Sequence, residues 1–205
     1  MKEFPILEGV LCGIGVSFEQ LSSEAESIVL FGSRAANAHR NSSDWDLLCV
    51  GYGTTRKTVI ADLIWIKPSL VPTREWRTSE LAGHVAAFGV PLCGDTGWLT
   101  TVEASDDAAE RKALRLFRRI QLLSQNWEKL TPCFQKKHWR LVANDIARLG
   151  ALASHKPVPA TPILQKGLDV SALCDIASKQ VENGLISPRI RDQFIELSMS
   201  LSFVP

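Results

Sequence analysis

Two short apolar runs, Ile28-Val29-Leu30-Phe31 and Leu47-Leu48-Cys49-Val50, constrain this chain more than any other feature. Apolar runs of this length bounded by turn signals read as buried strands. The first runs directly into Gly32-Ser33, and the second is preceded by Ser43-Asp44-Trp45-Asp46. A sheet built on them carries a glycine turn after one strand and an Asp-x-Asp pair at the start of another. Carboxylates at i and i+2 of a strand project from one face, with Cα atoms roughly 6.6 Å apart. Their oxygens can converge on one divalent cation, or on two. Hard cations such as Mg²⁺ take oxygen ligands and keep substrate phosphates in their shell. A Gly-Ser turn offers backbone N–H groups and a hydroxyl to a phosphate. Either half alone is ordinary loop chemistry. Together they point to phosphoryl or nucleotidyl transfer.

Composition sets the frame around this motif. The 205 residues fit one domain, or one domain with a helical annex. With 45% apolar and 22% charged residues the chain is ordinary for a globular protein and can bury a sizeable core. A net charge of +1 provides no global field for nucleic acid, so any basic surface is local. No apolar run approaches a membrane span, and Met1-Lys2-Glu3-Phe4-Pro5 lacks the apolar core of a signal peptide. The five cysteines are widely spaced without Cys-x-x-Cys, which suggests a reducing cytoplasm and no zinc site. The four histidines, His39, His84, His138 and His155, show no metal-ligand spacing.

The pattern predicts a helix over 17–25, with Ser23 and Glu26 available to cap near its end, and a strand over 27–31. A short helix over 33–40 follows the Gly-Ser turn, then a strand over 45–51 and a turn through residues 51–57. A third strand spans 58–66, rich in β-branched and aromatic residues and ended by Pro68 and Pro72. Residues 76–88 read as helix, and 89–92 as a further extended piece. From Ser105 the chain turns helical: Ser105-Asp106-Asp107 offers a cap and an acidic first turn for a helix to about Trp127. A second helix spans 133–154, a proline-rich connector 156–162, and further helices 170–183 and 187–200. The expected fold is α+β: a small mixed sheet with helices on one face, residues 1–103, followed by a C-terminal helical bundle, residues 104–205.

Several residues have both a chemical and a plainer reading. Asp62 lies inside the apolar Ile60-Ala61-Asp62-Leu63-Ile64. An acid there is costly unless it is paired or metal-bound, so it is either a third carboxylate of the site or the partner of Arg56 or Lys57. Arg111, Arg115, Arg118 and Arg119, with Lys112 alongside, form a basic stripe. A solvated face explains it most simply, and a wall for a triphosphate or an RNA backbone is the sharper alternative. The six tryptophans are read as packing, with Trp45 and Trp65 in the core and Trp76, Trp98, Trp127 and Trp139 able to stack a base. Gly13-Ile14-Gly15 lacks the last glycine of a dinucleotide fingerprint.

The motif of Phe31, Gly32, Ser33, Asp44, Asp46 and Leu47 resembles that of the minimal nucleotidyltransferases of the DNA polymerase β-like superfamily. Arg34 and Ser43 also agree with that pattern, and a looser likeness extends to about residue 95. The resemblance implies a metal-dependent enzyme that moves a nucleoside monophosphate, AMP from ATP above all, to a hydroxyl acceptor with release of pyrophosphate. It implies Asp44, Asp46 and Asp62 as catalytic, Mg²⁺-binding carboxylates, with two ions possible and Mn²⁺ able to substitute. Glu80 and Asp95 are the alternatives for the third acid, because family members often have a longer segment before it. Gly32, Ser33, Arg34 and Ser43 are the implied nucleotide-binding residues. The acceptor is left open among a small molecule, a protein side chain as in a toxin–antitoxin pair, and an RNA end. The helical half is left open as acceptor site, dimer interface or contact for a protein partner. A non-catalytic nucleotide-binding or antitoxin module of the same fold is the alternative function. Arg148 and His155 resemble the Arg-x₆-His spacing of helical ribonuclease domains, although Leu149 stands where those have a polar residue.

Overall fold

The structure, a computed structural model, describes residues 4–166. The chain divides into two compact units, Met1–Glu103 and Ala104–Pro205. The first is built on a five-stranded sheet. In chain order its elements are α1 (Phe4–Gly13), α2 (Phe18–Glu24), β1 (Ala25–Phe31), α3 (Gly32–Ala35), β2 (Trp45–Gly51), β3 (Arg56–Lys57), β4 (Ala61–Ile66), α4 (Arg74–Arg77), α5 (Glu80–Phe88) and β5 (Val90–Gly94). The strand order is β3-β4-β2-β1-β5. β2 and β4 are parallel, and every other pair is antiparallel, so the sheet is mixed.

The alternation along the strands decides what each face carries. Ile28, Leu30, Trp45, Leu47, Cys49, Ala61 and Leu63 pack with Leu7 and Leu11 of α1 and Leu21 of α2. Val29, Phe31 and Leu48 face the other way and pack with Val85 and Leu81 of α5 and with Trp76 and Trp98. The fold is α+β as expected, but the sheet is apolar on both faces and helices cover both rather than one. α1 and the two-residue β3, the latter expected as part of a turn, are elements of this unit that the sequence pattern did not predict. The cap of α2 is also different: Ser17 Oγ accepts the Gln20 N–H, at the start of the helix. The expected helix over 76–88 is two helices, because Ser79 caps α5 by accepting the Ala82 N–H.

The connection from β2 to β4 positions the third acid. A parallel pair usually needs a crossover of a dozen or more residues. Here the chain returns along the outer edge of the sheet as β3 and then turns into β4. Thr58 closes that turn: its Oγ1 donates to the Ala61 carbonyl at 2.7 Å and accepts the Ala61 N–H at 2.9 Å. The Trp45 N–H donates to the Ile60 carbonyl at 3.0 Å, which locks the start of β2 to the start of β4.

The second unit pairs α6 (Asp106–Asn126) with α7 (Pro132–Ala153), followed by α8 (Thr161–Lys166). Leu116, Ile120 and Leu123 pack with Val142, Ile146 and Leu149. Each fully buried Leu or Ile in this seam contributes roughly 1.5–3 kcal/mol. Lys112 is buried on the same side and pairs with Asp145 at 3.2 Å, where Arg119 also binds. Two of the five basic residues in the stripe therefore serve the packing of α6 on α7, while Arg115 and Arg118 are exposed. Arg148 donates to Thr161 Oγ1 at 2.8 Å, and His155 lies 3.3 Å from Asp106. These two residues are engaged by different partners. The helices expected over 170–183 and 187–200 lie outside the described residues, as do the side chains of Trp127 and Trp139. No helix among the described residues is long and apolar enough to cross a membrane.

Candidate active site

The site grows from the ends of three neighbouring strands. β1 ends at Phe31, and Gly32 turns the chain with φ +74°, a backbone that suits glycine. The space requires glycine as well. A Cβ at Gly32 would lie 2.0 Å from Asp46 Oδ2 and 2.9 Å from its Cγ. The turn is therefore pressed against the carboxylate of the neighbouring strand, where Phe31 and Asp46 are partners in register.

The loop before β2 is held by Arg34. Its Nε donates to the Asp44 carbonyl at 3.1 Å and its Nη2 to the Ser43 carbonyl at 2.7 Å. The guanidinium also stacks 4.4 Å from the centre of the Trp45 ring. Ser43 Oγ accepts the Arg40 N–H at 3.0 Å, closing the loop from the other side. Trp45 is buried among the α1 and α2 contacts, as its position between two aspartates on the opposite face requires. Arg34 and Ser43, expected at the nucleotide, both hold the loop that carries Asp44.

Asp46 and Asp62 are partners in the parallel β2–β4 register. The edge return brings Asp62 abreast of Asp46 despite the short sequence separation. Oxygens from Asp44, Asp46 and Asp62 all lie within 4.8 Å of one another. Lys57, the register partner of Asp62 on β3, sits 3.9 Å from it and is largely exposed. The ion pair weighed as the plainer reading of Asp62 is therefore present alongside the cluster. Asp95, the alternative third acid, lines a cavity of about 350 Å³ with Val50, Ser27 and Trp98. That cavity lies at the opposite end of the same sheet face. Glu80 opens α5 and is not among the three converging carboxylates.

The cluster is electrostatically loaded. Burial, and then the charges of Asp44 and Asp62, push the Asp46 carboxyl up to about 7, with Lys57 opposing. Three converging carboxylates beside one exposed lysine form a hard, anionic oxygen set that suits a divalent cation such as Mg²⁺. Cys49, three strand residues beyond Asp46 and fully buried, is pushed up to about 12 by burial and stays a thiol.

His84 is the residue of this region that the sequence reading missed. It sits on α5, and its Nε2 accepts the Gly32 N–H at 3.2 Å. Its ring meets Phe31 edge-on, with centroids 6.1 Å apart, and lies 5.4 Å from Phe88. The only signal was a histidine on the apolar stripe of an amphipathic helix, which gives no spacing to search for. The Gly32 amide, expected to hold a phosphate, is the one this histidine takes.

Residues 14–90 match the family model of the nucleotidyltransferase domain. The N-terminal unit carries a nucleotidyltransferase domain. The matched segment spans β1, the Gly-Ser turn, all three aspartates and α5. The chain is also similar to a solved nucleotidyltransferase-like protein from Exiguobacterium sibiricum 255-15, at 16% identity over 95% of this chain and 72% of that one. The TM-score is 0.33. No curated protein matches the sequence.

Proposed function

We propose that this nucleotidyltransferase domain transfers AMP from ATP to a hydroxyl acceptor, with release of pyrophosphate. The observation that supports this best is the convergence of Asp44, Asp46 and Asp62 at the end of the sheet. In this reading the three carboxylates hold Mg²⁺, as one ion or two, with Mn²⁺ able to substitute. The bound cation supplies charge neutralisation at the triphosphate and a lowered pKa for the incoming hydroxyl. Asp44 and Asp46 act as ligands from adjoining positions of one strand end. In this reading Asp62 also takes the proton of the attacking hydroxyl, a role that needs a base within hydrogen-bond reach. Ser33 offers its hydroxyl to the phosphates, while Gly32 lets the turn approach Asp46. Arg34 fixes the Asp44 loop. Catalysis is then chiefly positioning and charge neutralisation around an in-line displacement.

The test is incubation of the full chain with ATP, Mg²⁺ and candidate acceptors, small hydroxyl compounds, proteins and RNA, with mass spectrometry for an added AMP. Asp44→Ala and Asp46→Ala are expected to abolish the adduct while the fold survives. Asp62→Asn is expected to keep partial metal–nucleotide binding while turnover collapses. Either alanine variant turning over like the wild type would remove the site assignment. ATP binding with no pyrophosphate release for any acceptor would favour the non-catalytic module.

A further inference from the structure

We propose that His84 is a positioning residue of the nucleotide site, acting through Gly32 and not on the phosphates themselves. The inference rests on the nucleotidyl-transfer reading given above. Three observations carry it. The Gly32 N–H donates to His84 Nε2 at 3.2 Å, across 52 residues of sequence. Gly32 holds a positive φ and has no room for a side chain because Asp46 abuts it. His84 is itself held, by an edge contact with Phe31 and a tilted contact with Phe88.

These contacts form a chain of positions. Leu81, His84 and Phe88 lie at i, i+3 and i+7 on α5, one stripe of the helix. Leu81 anchors that stripe in the apolar layer over the sheet, together with the buried Val85. The imidazole then reaches the end of β1 and accepts the first amide of the turn. Acceptance at Nε2 requires a lone pair there, so the ring is neutral with its proton on Nδ1. The amide cannot serve His84 and a phosphate together. Fixing it sets the backbone of Gly32, and Gly32 is the wall against which the Asp46 carboxylate rests. A helix on one face of the sheet thus sets the position of a carboxylate on the central strand, without touching substrate.

The experiment compares His84→Gln with His84→Leu in the full chain. Both lose the aromatic ring contacts. Only glutamine keeps an acceptor at the distance of Nε2. The readouts are Mn²⁺ affinity measured alone, affinity for Mg²⁺ with a non-hydrolysable ATP analogue, and the melting temperature. His84→Leu is expected to weaken Mn²⁺ and nucleotide about tenfold, the scale of one lost hydrogen bond that leaves a donor unmet. His84→Gln is expected to stay within about threefold of the wild type. Equal affinities for the two variants would overturn the proposal and leave His84 as a packing residue. Wild type that binds neither Mn²⁺ nor nucleotide would instead overturn the proposed function. If His84→Leu does not fold, ¹⁵N chemical shifts of the wild-type imidazole decide. An unprotonated Nε2 at neutral pH supports the proposal, and a proton on Nε2 refutes it.

Discussion

Gly32→Ala separates the fold from the site, and its two effects can be sized from the structure. A Cβ forced into the left-handed region costs roughly 1–2 kcal/mol. For a unit of about 100 residues each kcal/mol lowers the melting temperature by about 4–8 °C, so the first unit should melt some 4–16 °C lower. The second effect is geometric. The new methyl would stand 2.0 Å from Asp46 Oδ2 and 2.9 Å from Cγ, so the carboxylate must swing away by about 1 Å or more. Mg²⁺ holds oxygen ligands at about 2.0–2.1 Å in a near-ideal octahedron, and a displacement of that size removes a ligand from its shell. Metal affinity should fall by roughly a hundredfold, the upper end for a displaced supporting group. The assay is calorimetric titration with Mn²⁺ at a temperature where both proteins are folded. Gly83→Ala is the control. Its Cβ meets nothing within 4 Å, so it should stabilise α5 by about 0.5–1 kcal/mol and leave Mn²⁺ affinity unchanged. Gly32→Ala with wild-type Mn²⁺ affinity would refute the argument that this glycine is kept by the carboxylate behind it.

Asp46 predicts a pH dependence. Its folded pKa of about 7 exceeds the ordinary 3.8, so its protonated form favours folding; that contribution is present below about pH 4 and is lost as pH rises through 7. The metal-free wild type should therefore lose stability relative to Asp46→Asn between these limits, with Mg²⁺ restoring it above pH 7; parallel melting curves for the two proteins at all pH values would contradict this. Arg34→Gln removes two charge-assisted bonds to the Asp44 loop and a stacking contact, and should cost about 1–3 kcal/mol in chemical denaturation while weakening Mn²⁺ binding; unchanged Mn²⁺ affinity would show that Asp44 needs no clamp. Asp145→Asn removes the carboxylate that pairs with the buried Lys112 and with Arg119 and should destabilise the helical unit by about 3–5 kcal/mol, read by loss of helical circular dichroism at lower denaturant. The triple Arg111, Arg115, Arg118→Gln change should alter stability by about 0.5 kcal/mol or less and leave both the ATP Km and the salt dependence of RNA binding unchanged. A flattened salt slope would make RNA the leading acceptor.

The legible part of the fold was the part with a short period. β1 and β2 are continuous apolar runs, and their ends were placed within two residues. The long amphipathic α6 and α7 were equally plain. α1 was not, because Phe4–Gly13 mixes apolar residues with Pro5, Glu8 and two glycines, and its helix is decided by burial of Leu7 and Leu11 on the sheet. Helices on both faces followed from side-chain alternation in β1 and β2, which a continuous apolar run conceals. Asp44 and Asp46 were readable because strand geometry alone puts them together. Asp62 was readable only as an anomaly, since its place abreast of Asp46 depends on the β2–β4 register. His84 and the engagement of Arg34 were not readable, because each depends on contacts across the fold or on loop closure.

The edge return also determines how the sheet meets other chains. β3 is two residues long, and both are basic, so one border of the sheet is short and charged. At the other border β5 carries Pro91, which has no N–H to offer a neighbouring strand. Short edges, lysine and proline are the devices by which sheets resist growth by strand addition. A sheet guarded in this way stays finite at high concentration. Among the described residues, each border thus carries a feature that disfavours the addition of a partner's extended segment.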